Sequence, residues 1–183
     1  MSIESYKKII KGRMGEKRYI HSVNVAKQAQ KLAKIYGCDV EKAMTAGILH
    51  DVTKETPFDE QLKIITEGGI ILDEIEKSSQ KLWHPISGSV YIQKYFDIIN
   101  AIRFHTTGRS NMSLLEKIIF VADFTGDERN YDGVDIMREK ALRSLEEAMI
   151  YGLQFTIQDL SSRALTIHPN ALSCYNELIL KDE

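Results

Sequence analysis

At 183 residues the chain is long enough to bury a continuous core as one domain, and nothing in it calls for a second. Its 43% apolar content, 27% charged content and formal charge of −2 exclude a disordered tail and a basic clamp for nucleic acid. Cys38 and Cys174 lie outside any Cys-x-x-Cys unit, so neither a thiolate metal knuckle nor a disulfide scaffold is expected, and both are read as buried thiols.

The first residues, Met1 to Lys8, lack the apolar core of a signal peptide, and no segment supplies about twenty apolar residues for a membrane span. A cytoplasmic location without a membrane partner is expected. A short amphipathic helix is predicted over residues 3–11, followed by a turn at Gly12-Arg13-Met14-Gly15. The next helix, 17–36, places Val25, Ala26, Ala29, Leu32, Ala33 and Tyr36 on one face, and His21, four residues before Val25, points inward with them. Gly37 reads as its C-cap, and Asp39 as the cap of a helix over 40–51 with Ala43, Gly47 and His50 on the buried line.

Thr56-Pro57-Phe58-Asp59 reads as a cap followed by a first-turn proline, starting a helix that stops at Gly68-Gly69. A shorter element is predicted over 71–77, then a helix over 84–95 with His84-Pro85 at its mouth, where proline costs no hydrogen bond. In 97–105, Ile98, Ala101, Ile102 and His105 share a face; Thr106 to Asn111 form a polar loop. A helix over 113–124 aligns Leu115, Ile119, Ala122 and Asp123, bringing inward a carboxylate that needs a positive partner. One helix over 134–151 and another ending near 181 follow, separated by a polar stretch from Gln158 to Asn170. Without strand-like alternation, internal repeats or a G-x-x-x-x-G-K-[ST] loop, the fold class is all-α.

Four of the five histidines, at 21, 50, 84 and 105, lie at the mouth or on the inner face of predicted helices. One inward histidine is ordinarily a satisfied core residue; four accompanied by inward Asp51 and Asp123 form a set suited to transition metals. Adjacent His50 and Asp51 diverge by about 100° around a helix, so the carboxylate can reach between two ions while the imidazole serves one. The fifth, His168, precedes Pro169 and is expected on the surface or at a subunit contact.

With these residues the chain resembles the HD-domain superfamily of metal-dependent phosphohydrolases. Within it, the segments Arg18-Tyr-Ile-His21-Ser22, Ala46-Gly-Ile-Leu-His50-Asp51, Arg103-Phe-His105-Thr-Thr-Gly-Arg109 and Leu115 to Asp123 look like the bacterial YqeK family of symmetrical diadenosine tetraphosphate hydrolases. The resemblance implies an HD-type helical bundle, its core motifs over 16–151 and a C-terminal helical extension over 152–183. It also implies two divalent ions, iron first and manganese, cobalt or nickel as alternatives. His21, His50, Asp51 and Asp123 would hold one, and Asp51, His84 and His105 the other. A metal-bridged hydroxide would then split the tetraphosphate into two ADP.

Lys54 and Arg109 are expected to act on phosphate beside Asp51, with Arg18, Thr106, Thr107, Gly108 and Arg129 as further substrate contacts. Trp83 and Tyr91 are read as core rather than as base contacts. The family also implies a homodimer acting on a small nucleotide. Three departures from its pattern stand out: Phe-Thr-Gly-Asp-Glu-Arg129 where Tyr-Ile-Glu-Pro and then arginine is more usual, Pro85 after His84, and Val52 after Asp51. The alternatives are a related 5'-nucleotidase or cyclic-dinucleotide phosphodiesterase, and a nucleotide-binding metalloprotein without turnover.

Overall fold

The structure, a computed structural model, describes residues 2–92 and 98–181, and among these it contains helices and no strands. Helix α1 (Ile3–Lys11) is capped by Ser2, and α2 (Glu16–Tyr36) ends on Gly37 at φ 73°, a left-handed cap that glycine takes without strain. Helix α3 (Val40–Leu49) starts at the Asp39 side chain, which accepts from the Lys42 amide. Helix α4 (Phe58–Glu67) begins one residue later than expected. Pro57 is itself the cap, and the Thr56 hydroxyl accepts from Arg13 instead of capping.

Helix α5 (Glu74–Ser78) carries a capping box between Asp73 and Glu76, and a 3-10 turn leads into α6 (Trp83–Tyr91), with His84 in its first turn. The expected helix limits at 95 and 97 lie outside the described residues. Then follow α7 (Ile99–Arg103), α8 (Leu114–Thr125), α9 (Val134–Arg143), α10 (Leu145–Ser162) and α11 (Pro169–Lys181).

The single helix expected over 134–151 is two. Ser144 leaves the helix at φ −151°, and its hydroxyl accepts from the Glu147 amide, so it caps α10. From there α10 runs through Gln158 to Ser162, residues expected in a polar connection. His168 is also corrected: it is buried, with Nε2 3.6 Å from Asp73 Oδ2 and 3.8 Å from Glu76 Oε1. Of the two thiols, Cys174 is buried but Cys38 is only half-buried.

Helix α8 lies at the centre. Ile118 to Ala122 are five consecutive buried residues, a pattern that fits a helix packed on all sides rather than an amphipathic one. Helices α2, α3, α7 and α10 pack against it. The most extensive helix–helix contact is between α2 and α3, where Ala26, Ala29, Ala43 and Ala46 are buried and Gly47 lies against the α2 backbone. A Cβ on Gly47 would fall 2.7 Å from Ala26 Cα. That intimacy sets His21 and His50 side by side. Ile65, Leu72, Trp83 and Ile86 form a smaller core under α4 and α6, fixing the helix that carries His84.

No helix among the described residues is long and apolar enough to cross a membrane.

Candidate metal centre

Five helices deliver six side chains to one place. His21 comes from the second turn of α2, His50 caps the C-terminus of α3 and Asp51 follows it, His84 opens α6, His105 lies just past α7, and Asp123 is in the last turn of α8. All are buried except Asp123, which is partly covered. His21 and His50 face each other at 3.2 Å between Nε2 atoms, and His84 and His105 do the same at 3.2 Å.

Asp51 stands between these pairs. Its Oδ2 lies 3.5 Å from His50 Nε2 and 3.7 Å from His21 Nε2, whereas Oδ1 lies 3.3 Å from His84 Nε2 and 3.6 Å from His105 Nε2. Asp123 Oδ1 closes the first set, 3.1 Å from His21 Nε2 and 3.8 Å from His50 Nε2.

The outer nitrogens determine what these inner atoms can do. Nδ1 of His50, His84 and His105 donates to the carbonyls of Gly47, Lys81 and Ile102, at 2.7, 2.9 and 2.8 Å. A carbonyl only accepts, so in the neutral ring the proton is on Nδ1 and Nε2 presents a bare lone pair. His21 presents its Nδ1 to the Glu128 carboxylate instead. Lone pairs facing each other at this range repel unless a cation lies between them. Asp51 Oδ1, buried and without a hydrogen bond, has the same need. The site therefore fits divalent metal: His21, His50 and Asp123 lie close enough together to hold one ion and His50, Asp51 and His105 a second, with His84 on the second side.

The electrostatics agree. Burial alone would raise the Asp51 and Asp123 carboxyls, yet the surrounding histidines, with Arg129 beside Asp123, hold both well below the usual carboxylate range. Burial lowers His84 to about 4, against the pull of Asp51, so this ring is neutral at pH 7. Burial also pulls Lys54 down, while Asp51 and Asp123 draw it back up.

A third grouping, Asp73, Glu76 and His168, lies apart from this set, and there Arg103 Nη2 already sits 2.5 Å from Glu76 Oε1.

Around the six lie the expected phosphate groups, unequally placed. Arg18 Nη1 donates to Asp51 Oδ2 at 2.7 Å, Lys54 Nζ to His84 Nε2 at 3.0 Å, and Arg129 to the Asp123 carboxylate. These three adjoin the centre. The loop after His105 is engaged elsewhere: Thr107 Oγ1 donates to the Gly108 carbonyl, and a Cβ on Gly108 (φ 65°) would lie 3.1 Å from Cys174 Sγ. Arg109 forks onto Glu116, with Nε 2.7 Å from Oε2 and Nη2 2.9 Å from Oε1. Thr106, beside His105, is half-buried. Trp83 is buried, but Tyr91 is exposed and packs under the Arg13 guanidinium.

A cavity of about 430 Å³ opens beside His21, lined by Lys17, Arg18, Glu128, Arg129 and Tyr131 among others. Lys17, Glu128 and Tyr131 carry no signal in the sequence pattern. Glu128 lies in the stretch after Asp123 that departs from the family pattern, and no periodicity marks such a turn.

Comparison with known proteins agrees with this geometry. The family model described as HD domain matches residues 18–125. A symmetrical bis(5'-nucleosyl)-tetraphosphatase of Halalkalibacterium halodurans is 38% identical over 180 residues, covering 96% of this chain and 96% of its own. The protein so named in Bacillus subtilis is 35% identical, covering 93% and 94%. A crystal structure described as a predicted HD superfamily hydrolase involved in NAD metabolism, from Clostridium acetobutylicum, superposes with a TM-score of 0.94 at 36% identity, covering 99% of this chain and 98% of that one. With its metal-binding constellation and its full-length relatives, the chain belongs to the HD-domain superfamily of metal-dependent hydrolases, in the family of these tetraphosphatases.

Proposed function

We propose that the chain hydrolyses diadenosine tetraphosphate symmetrically: one water is consumed, the central phosphoanhydride bond breaks, and two ADP leave. The observation that carries the reading is the division of Asp51, one oxygen toward each histidine pair, which is the arrangement a dinuclear phosphohydrolase requires. Two divalent ions, iron in this reading, would supply Lewis-acid activation of water and neutralisation of the phosphate. His21, His50, Asp51 and Asp123 would hold the first, and Asp51, His84 and His105 the second.

The protein's own groups do the rest. Arg18, Lys54 and Arg129 surround the ligands with positive charge, and a substrate phosphate entering there exchanges their carboxylate and imidazole contacts for its own oxygens. The cavity beside His21 offers room for a nucleoside end. The names of the Halalkalibacterium and Bacillus relatives support the tetraphosphate as substrate. In the same reading the chain acts as a homodimer, which light scattering tests.

The reaction itself is tested by product analysis with ferrous or manganous ion. Two ADP, one carrying a single oxygen from labelled water, is the expected result. ATP plus AMP would mean asymmetric cleavage and overturn the assignment, and efficient release of phosphate from AMP or GMP with no action on the tetraphosphate would move the chain to a nucleotidase activity.

A further inference from the structure

The four histidines of the centre are oriented in two different ways. His50, His84 and His105 each hang Nδ1 on the carbonyl three residues back, at a helix end or a 3-10 turn. His21 stands inside α2, where the carbonyls one turn back already accept from helical amides. It must find an acceptor on another element, and finds it in Glu128, 107 residues along the chain.

Glu128 reaches His21 from the turn after α8, which is closed by the Arg129 amide donating to the Gly126 carbonyl at 3.0 Å. Its carboxylate folds back over Gly126. The backbone there, φ −52° and ψ 151°, suits any residue, so conformation does not call for glycine. Space does: a Cβ at 126 would lie 2.8 Å from Glu128 Oε2 and 3.0 Å from Oε1. The atom in the way is the far end of a flexible side chain, so the fold can accept alanine while the carboxylate cannot keep its place.

We infer that Glu128 is the positioning residue of His21, fixing its ring so that Nε2 faces His50 and Asp123, and that Gly126 is the gap that admits it. Glu128 acts through His21 and does not ligate. The inference rests on the metal-centre reading and is independent of the nucleotide substrate.

Stripped protein titrated with Mn²⁺ tests it, the two dissociation constants being read by competition against a chelator and the fold by the melting temperature without metal. Glu128→Ala weakens one of the two steps by about 10- to 100-fold and leaves the other within about twofold. Glu128→Gln, whose amide oxygen still accepts from Nδ1, retains part of the loss-prone affinity. Gly126→Ala weakens the same step, and Gly126→Ala/Glu128→Ala is no weaker than Glu128→Ala alone, because the glycine acts only through the carboxylate. Unchanged Mn²⁺ binding in Glu128→Ala overturns the inference, as does an additive double variant. Should the tetraphosphate prove not to be the substrate while these constants shift as stated, the reading of the reaction fails and that of Glu128 stands.

Discussion

Lys54 holds its ammonium 3.0 Å from Nε2 of His84, donating to the lone pair that also faces Asp51 Oδ1 at 3.3 Å. The lysine is thus part of the centre. A surface pairing with Glu55, the simpler reading of adjacent Lys and Glu, is not what forms, since Glu55 accepts from the Gly15 amide at 2.6 Å. A half-buried ammonium beside the Asp51 and His84 side chains is well placed to meet developing charge on a leaving phosphate.

Replacing Lys54 with Met keeps the length of the stem and removes the charge. Turnover is expected to fall about a hundredfold, the scale for losing one well-placed donor, while metal content stays within error. Steady-state kinetics beside elemental analysis decides it. A variant with full turnover would confine Lys54 to packing.

Asp51 serves both histidine pairs, so Asp51→Ala is expected to cost both ions, whereas His84→Ala removes a ligand on one side only. Elemental analysis after gel filtration should give close to none in the first variant and about one per chain in the second. Equal losses in the two variants would contradict the bridging geometry.

The convergence of these side chains was legible where helical periodicity turned His21, His50, His105 and Asp123 inward, since an inward charge or imidazole is expensive without a partner. What the periodicity missed lies off the helices. Glu128 reaches His21 through a turn whose course no spacing rule gives. The break at Ser144 did carry a signal, a serine three residues before Glu147, but the apolar pattern running through it dominated the reading. The burial of His168 is not legible locally, because it depends on Asp73 and Glu76 at the start of α5, more than ninety residues earlier.

The α2–α3 contact predicts a sharp penalty for one methyl group. In Gly47→Ala the new Cβ meets the backbone of Ala26, which cannot yield unless the helices part. Overpacking of this kind costs about 1–3 kcal/mol, so the melting temperature should drop by roughly 3–10 °C. Because His21 and His50 ride on the separating helices, metal binding should weaken with it. Thermal melts with and without Mn²⁺ measure both, and a variant of unchanged stability would show that the contact is softer than it looks.

Acid should reveal the burial of His84 in protein stripped of metal. Its folded value is about 4 against an ordinary 6.5, so between these values the unfolded chain binds the proton and the folded chain does not. The sign follows: the contribution is present above pH 6.5 and lost as pH falls toward 4. For a ring this buried the loss is on the order of 3 kcal/mol. His84→Gln removes the titration, so the wild type should lose stability relative to the variant between pH 7 and 4. Parallel denaturation curves would contradict the assignment.

Arg109 separates a phosphate contact from a structural ion pair. The loop after His105 suggested a guanidinium free to grip substrate, yet both arms of the fork lie on Glu116 and a third nitrogen donates to the Ser110 carbonyl at 3.0 Å. The Glu116 side chain is 4% exposed and Arg109 28%, so Arg109→Met strands a buried carboxylate while removing a charge that is partly screened. Breaking a fully buried pair costs about 3–5 kcal/mol, and the exposure of the arginine brings the expectation nearer 2 kcal/mol, a fall of roughly 4–8 °C in melting temperature. Removing the stranded charge as well, in Arg109→Met/Glu116→Leu, should recover most of that loss. Throughout the series kcat/KM of the folded protein is expected to stay within about threefold, because less than 0.7 kcal/mol of transition-state stabilisation is then at stake. The opposite pattern, an intact melting temperature with turnover down a hundredfold in Arg109→Met, would mean that the arginine leaves Glu116 for the substrate and would return it to the phosphate-binding set beside Arg18, Lys54 and Arg129.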